Sequence, residues 1–210
     1  MNTMPLQTIE PRRLYRQIAD QVRQLVERGE FPPGKRLPAE RDLAQQLGVS
    51  RPSVREALIA LEVEGLVEVR MGSGIWVRDA SAGVRTAPVT AEPPLEIIRA
   101  REAIECELAA RAAHSMKAAQ VRGLREAVRQ MQQEAAAGRM PTQGDRQFHL
   151  RVAEAAGNPG LTRIVMDLYD ERHNPLFAQL GSHFENSDSW RLAIDEHQAV
   201  IDAIAAHNGE

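Results

Sequence analysis

Apolar residues recur at helical spacing along most of this chain. Leu14, Ile18, Val22, Leu25 and Val26 line one face of a helix over about 14–28, and Gly29 ends it. After a turn at Phe31, Pro32, Pro33 and Gly34, Pro38 opens a second helix over about 38–47, with Leu43 and Leu47 four apart. Gly48 falls where that helix must stop and the chain must turn sharply. A third helix over about 51–64 carries Val54, Leu58 and Leu61 on one face, and Gly65 closes it. Ser50 can cap this helix through its hydroxyl. Pro52 is tolerated in a first turn, where its missing N–H costs nothing. Residues 66–69 and 75–77 read as two short strands joined by a glycine-bearing tip at 70–74. Three helices followed by a two-stranded wing predict a winged helix-turn-helix.

The first ten residues read as a loose lead-in, and 79–94, small, polar and Pro-bearing, as a linker. Beyond it no strand pattern stands out. Leu95, Ile98, Ile104 and Leu108 begin a helix to about 116. Val121, Leu124, Val128 and Met131 share a face of the next, over about 118–137. Residues 138–144 break the pattern, and a helix from Asp145 ends near Gly157. Another starts near Leu161 and is kinked or interrupted at Pro175; 181–189 read as loop, and a last helix spans about 190–206. The expected architecture is mainly α. It comprises a winged helix-turn-helix domain over 1–78, the linker, and an antiparallel all-helical bundle of five or so helices over 95–210.

Charge sharpens this division. The chain has a net charge of −3, but residues 11–78 hold 12 Lys/Arg against 9 Asp/Glu, and residues 79–210 hold 14 against 19. The basic half contains the helix-turn-helix, as an electrostatic footprint for DNA requires. Lys35 and Lys117 are the only lysines, so arginine supplies nearly all the positive charge, and its planar fork suits phosphate and guanine. Ser50, Arg51, Ser53 and Arg55 crowd the start of the third helix, whose dipole and free N–H groups favour a phosphate. No apolar run reaches membrane-span length. The single cysteine, Cys106, excludes an internal disulfide, suits a reducing cytosol, and reads as a small buried hydrophobe.

In the second half, Asp145 and His149 are four apart and leave one helix face together, a competent half-site for a divalent metal. The same spacing also arises on plain solvated helices. Arg101 and Glu105, again four apart, can form an ion pair. His114, His173 and His183 read as surface or packing residues.

The segment from Pro32 through Arg36, Leu37 and Arg41 to Ala44, then 49–58, then 64–67, resembles the N-terminal domain of GntR-type bacterial transcription regulators. The second half resembles the FCD effector domain of the FadR subfamily. Its motifs are Arg101 to Glu105, Asp145 to His149, Gly157 to Pro159, and Glu196 with His197. The resemblance implies a cytoplasmic homodimer that binds a palindromic operator in double-stranded DNA. It assigns DNA contacts to Arg41, Ser50, Arg51, Ser53, Arg55 and, at the wing tip, Gly72, with Lys35 and Arg36 as further phosphate candidates. It also implies a Zn- or Ni-type ion on Asp145, His149 and His197, and a small organic-acid effector paired with Arg101. The family's fourth metal ligand would lie beyond His197 on a further helix. That helix is not among these 210 residues, so the bundle is expected without it. His207 does not match the position. Two other readings stay open: a metal-dependent enzyme carrying a DNA-binding head, and a metal-free acyl-ligand sensor. Against the first, no general base or nucleophile accompanies the motifs. Against the second, Asp145, His149 and His197 are all present.

Overall fold

The computed structural model describes residues 13–70, 72–79 and 91–209. The lead-in and most of the linker lie outside the described residues. The chain divides into two compact units, residues 1–91 and 92–210.

The first unit opens with α1 (Leu14–Glu27), which buries Tyr15, Ile18, Ala19 and Val22. The next helix, α2 (Glu40–Leu47), starts two residues after Pro38 and buries Leu43 and Ala44. It stops at Gly48, whose φ of 66° lies in the left-handed region that glycine enters without steric cost. Ser50 then caps α3 (Arg51–Val63): its hydroxyl accepts the Ser53 N–H at 3.2 Å. Val54, Ala57, Leu58 and Leu61 are all buried on α3. Strands β1 (Val67–Arg70) and β2 (Gly74–Val77) pair antiparallel, with Val67 opposite Val77 and Arg70 opposite Gly74. Val67, Ile75 and Val77 point into the core, as the period of two requires.

Residues 34–37, of which only Gly34 belongs to the expected turn, extend the wing. Leu37 N–H donates to Ile75 at 2.8 Å, Val77 N–H donates to Lys35 at 2.9 Å, and Arg36 bridges Trp76. On β1, the Val69 N–H donates to the Glu62 carboxylate at 2.8 Å, which satisfies a backbone donor that the ladder does not use.

The second unit is all helix among the described residues: α4 (Pro94–Ser115), α5 (Ala118–Ala136), α6 (Thr142–Ala155), α7 (Pro159–Asp170), a single 3-10 turn (Glu171–His173), α8 (Pro175–Phe184) and α9 (Ser187–Ala205). The mainly α architecture therefore holds, with one helix more in the bundle than expected. The addition lies around 175–184. Of the two outcomes expected at Pro175, the interruption holds: α7 ends at Asp170 and Pro175 begins α8, with Asn174 accepting the Phe177 N–H as cap. Residues 181–184, expected as loop, are helical, and Asn186 caps α9 at once.

Gly144 also departs from expectation. It lies inside α6, which begins three residues before the predicted start. A Cβ there would sit 2.6 Å from the Met131 backbone nitrogen and 2.8 Å from the Ala127 carbonyl. Gly144 is thus a close-approach residue that lets α6 lie against α5. On α4 the inward residue is Ile97, and Ile98 is exposed; Cys106, expected in the core, is exposed too. The main core joins Val121, Leu124, Val128 and Met131 of α5 to Phe148 and Val152 of α6 and to Trp190, Ile194, Ile201 and Ile204 of α9.

Candidate metal centre and nucleic-acid interface

Within the second unit, Asp145 stands in the first turn of α6, His149 one turn later, and His197 midway along α9. One ligand atom from each falls within 4.8 Å of the others. The Asp145 Oδ1 lies 3.5 Å from His149 Nε2 and 3.1 Å from His197 Nε2. Asp145 is buried, and the two imidazoles are nearly so.

What surrounds these atoms fixes which ring nitrogens are free. His197 Nδ1 donates to the Ala193 carbonyl at 2.6 Å, so in the neutral ring the lone pair falls on Nε2. That Nε2 is buried and has no partner in hydrogen-bond geometry, although Asp145 Oδ1 lies beside it. A lone pair facing a carboxylate oxygen is repulsive unless a proton or a cation lies between them. His149 Nδ1 meets the Glu105 carboxylate, so its Nε2 also faces the shared point. Such outer partners orient metal-ligating histidines. On the other side of Asp145, Oδ2 accepts the Tyr169 hydroxyl at 2.7 Å, and Arg172 stands 3.8 Å away. The donor set, one carboxylate and two imidazole nitrogens, fits a Zn- or Ni-type ion.

Arg101 reaches this cluster from α4. Its Nε donates to Glu105 at 2.7 Å, and its guanidinium stacks 5.0 Å over the Tyr169 ring and lies 3.3 Å from His149 Nε2. The ion pair with Glu105 is therefore formed, and the cation borders the candidate metal position as well.

Titration follows the geometry. Burial works against ionised Asp145, but the two imidazoles and the Tyr169 hydroxyl outweigh it and hold the carboxyl far below the usual range. Burial works against protonated His149, yet Asp145 and Glu105 on its two nitrogens raise its pKa above the ordinary value. Burial works against ionised Glu105 as well, and His149 and Arg101 draw it below the ordinary carboxylate value. Burial and the Asp145 charge push the Tyr169 phenol up. Glu105, Tyr169 and Arg172 were not singled out from sequence as parts of a metal cluster. Only the Arg101–Glu105 spacing hinted at one of them. His207 bonds the Ala113 carbonyl at 2.8 Å instead.

Of the residues proposed for DNA, Ser50, Arg51, Ser53 and Arg55 lie at the start of α3, Arg41 lies on α2, and Gly72 lies between the two wing strands. Ser50 is exposed, and its hydroxyl lies 2.8 Å from that of Ser53. The side chains of Arg41 and Arg51 are exposed. Arg55 is not equally free. Its Nε and a terminal nitrogen donate to the two Glu40 oxygens at 3.1 and 2.8 Å, a bidentate clamp between α3 and α2. Gly72 is exposed at the wing tip with φ 73°. Arg70 is held by Glu68 and stacks over Trp76 at 5.4 Å. The Arg36 side chain lies where a Cβ on Gly74 would be, so it also buttresses the hairpin.

Residues 14–77 match the family described as bacterial regulatory proteins, gntR family, and residues 96–210 match the FCD domain. The chain belongs to the GntR family. It is 35% identical to the Uxu operon transcriptional regulator of Escherichia coli K12, over 91% of this chain and 78% of that protein. It is 37% identical to the Exu regulon transcriptional regulator of the same strain, over 95% and 78%. Among solved structures it resembles E. coli McbR/YncC at 25% identity and a TM-score of 0.49, over 94% and 88% of the two chains. This GntR-family chain is thus a DNA-binding transcription regulator with an FCD effector domain, and the relatives are named regulators, not enzymes. Among the described residues no helix is long and apolar enough to cross a membrane.

Proposed function

We propose that this regulator binds its operator as a cytoplasmic homodimer and changes its hold on DNA when a small carboxylate enters the FCD unit. The observation that carries the sensing half is the convergence of Asp145, His149 and His197, with His197 Nε2 buried and without a hydrogen-bond partner. These three residues would hold a divalent ion of the Zn or Ni type. Such an ion supplies a Lewis-acidic anchor for a carboxylate oxygen. Arg101 borders the same point and would pair with the effector's charge. The exposed arginines Arg41 and Arg51, the Ser50 cap, Ser53, Arg55 and Gly72 would make the DNA contacts, with the palindrome matching the dimer's two-fold axis. Relatives named for an operon and a regulon favour control of a group of genes.

The test has two arms. Elemental analysis of purified protein should find about one divalent ion per chain, lost in His149→Ala; no metal in either sample defeats the metal reading. A melting screen over small carboxylates, with and without EDTA, should find a stabilising acid whose effect EDTA abolishes. Operator affinity unchanged by that acid would defeat the switch and leave DNA binding standing.

A further inference from the structure

We propose that Glu105 is a positioning residue, which sets the ring orientation and tautomer of His149 and ties that imidazole to Arg101. This rests on the metal reading of Asp145, His149 and His197 given above. The two oxygens of Glu105 are divided between two partners. Oε1 accepts Arg101 Nε at 2.7 Å, and Oε2 faces His149 Nδ1. All three side chains are largely sequestered, with exposures of 13% for Arg101, 17% for Glu105 and 19% for His149, so water competes weakly for these bonds.

The consequence for His149 is chemical. A neutral imidazole has one N–H and one lone pair, and the bond made by one nitrogen decides what the other presents. With Nδ1–H spent on Glu105, the lone pair sits on Nε2, the atom facing Asp145 and His197. Without Glu105, no other acceptor for Nδ1 is seen among the described contacts, and the carboxylate that remains, Asp145 Oδ1 at 3.5 Å from Nε2, draws the proton to that nitrogen and blocks it. His197 solves the same problem with a backbone carbonyl, Ala193, which mutation cannot remove. His149 depends on a side chain, and that side chain also binds the guanidinium that borders the site. An anion that draws Arg101 away from Oε1 therefore alters the partner of a metal ligand. Effector and metal are coupled through one carboxylate.

The experiment uses the full chain. Two-dimensional ¹⁵N imidazole spectra of EDTA-treated protein, recorded at a pH where His149 is neutral, should show the Nδ1–H form in wild type and loss of that form in Glu105→Ala. Glu105→Gln keeps an acceptor oxygen and should retain it in part. Zinc competition with a chromophoric chelator should give affinity falling about tenfold or more in Glu105→Ala, with Glu105→Gln between it and wild type. Retention of the Nδ1–H form in Glu105→Ala overturns the proposal, as does zinc affinity within about twofold of wild type in both variants. A role confined to pairing with Arg101 would not move the tautomer. Wild-type protein that binds no zinc defeats the metal reading, and the metal-free spectra still decide whether Glu105 sets the tautomer.

Discussion

Zinc affinity of the FCD unit should climb with pH through and above the ordinary histidine range. His149 lies between two carboxylates, Asp145 and Glu105, and their joint effect outweighs burial and raises its pKa. The sign follows directly. A raised folded-state value means that protonated His149 stabilises the metal-free protein below its unfolded value of about 6.5, and that this contribution is lost as pH rises through the higher folded value. A metal needs the Nε2 lone pair, so it competes with that proton. Asp145 adds no proton to the exchange, because it stays ionised far below this window. Displacing one proton from His149 makes affinity rise about tenfold per pH unit below the raised pKa and level off above it.

The assay is chelator competition from about pH 6 to 8.5, with calorimetry in buffers of different ionisation enthalpy to count protons released. Glu105→Gln removes one of the two raising carboxylates and should shift the plateau to lower pH. The EDTA-treated protein should show the reverse trend, with a melting temperature that falls across the window in which zinc binding strengthens. An affinity flat with pH, or calorimetry showing no proton released, would refute the placement of a shared proton on His149.

Other expectations concern the DNA-binding unit and the bundle. Glu40→Ala removes the clamp on Arg55 and a negative charge beside α3, so operator binding by fluorescence anisotropy should strengthen. Arg51→Ala should weaken binding, by about 1–3 kcal/mol if it reads a base, with the melting temperature unchanged because the side chain is exposed. Ser50→Ala deletes the cap of α3 and should cost about 1 kcal/mol of stability in the winged unit, measured by urea unfolding. Gly144→Val drives a side chain into the Met131 backbone and should destabilise the bundle by about 1–3 kcal/mol or more, visible as a lowered calorimetric transition.

How much of this could be read from the sequence depended on whether the signal was local. The winged unit carries nearly all its instructions within a few residues. Gly48 stops α2, Ser50 caps α3, and Val54, Leu58 and Leu61 mark the buried face; each acts through bonds or contacts within one or two turns. The Asp145–His149 spacing was equally local. The pairings of Arg55 with Glu40 across two helices, and of residues 34–37 with β2, were not, since they depend on where the chain returns after turning.

The bundle shows the same boundary more sharply. Gly144 reads as a breaker in a one-dimensional pattern, because glycine weakens a helix. Only the approach of Met131 and Ala127 shows why the helix tolerates it. Ile97 and Ile98 are adjacent and equally apolar, and the direction in which α4 meets its neighbours decides which is buried.

By itself, then, the sequence determined the helix-turn-helix with its wing, the helical character of the second half, and the chemical types of the candidate ligands. These follow from local propensity, capping and periodicity. No spacing in the sequence ties His197, forty-eight residues beyond His149, to the Asp145–His149 pair; the family resemblance alone grouped them, and the tertiary structure brings the three to one point with Glu105, Tyr169 and Arg172 around it. A site assembled from α4, α6, α7 and α9 exists only once those helices pack, because no periodicity along one strand of chain encodes the distance between two helices.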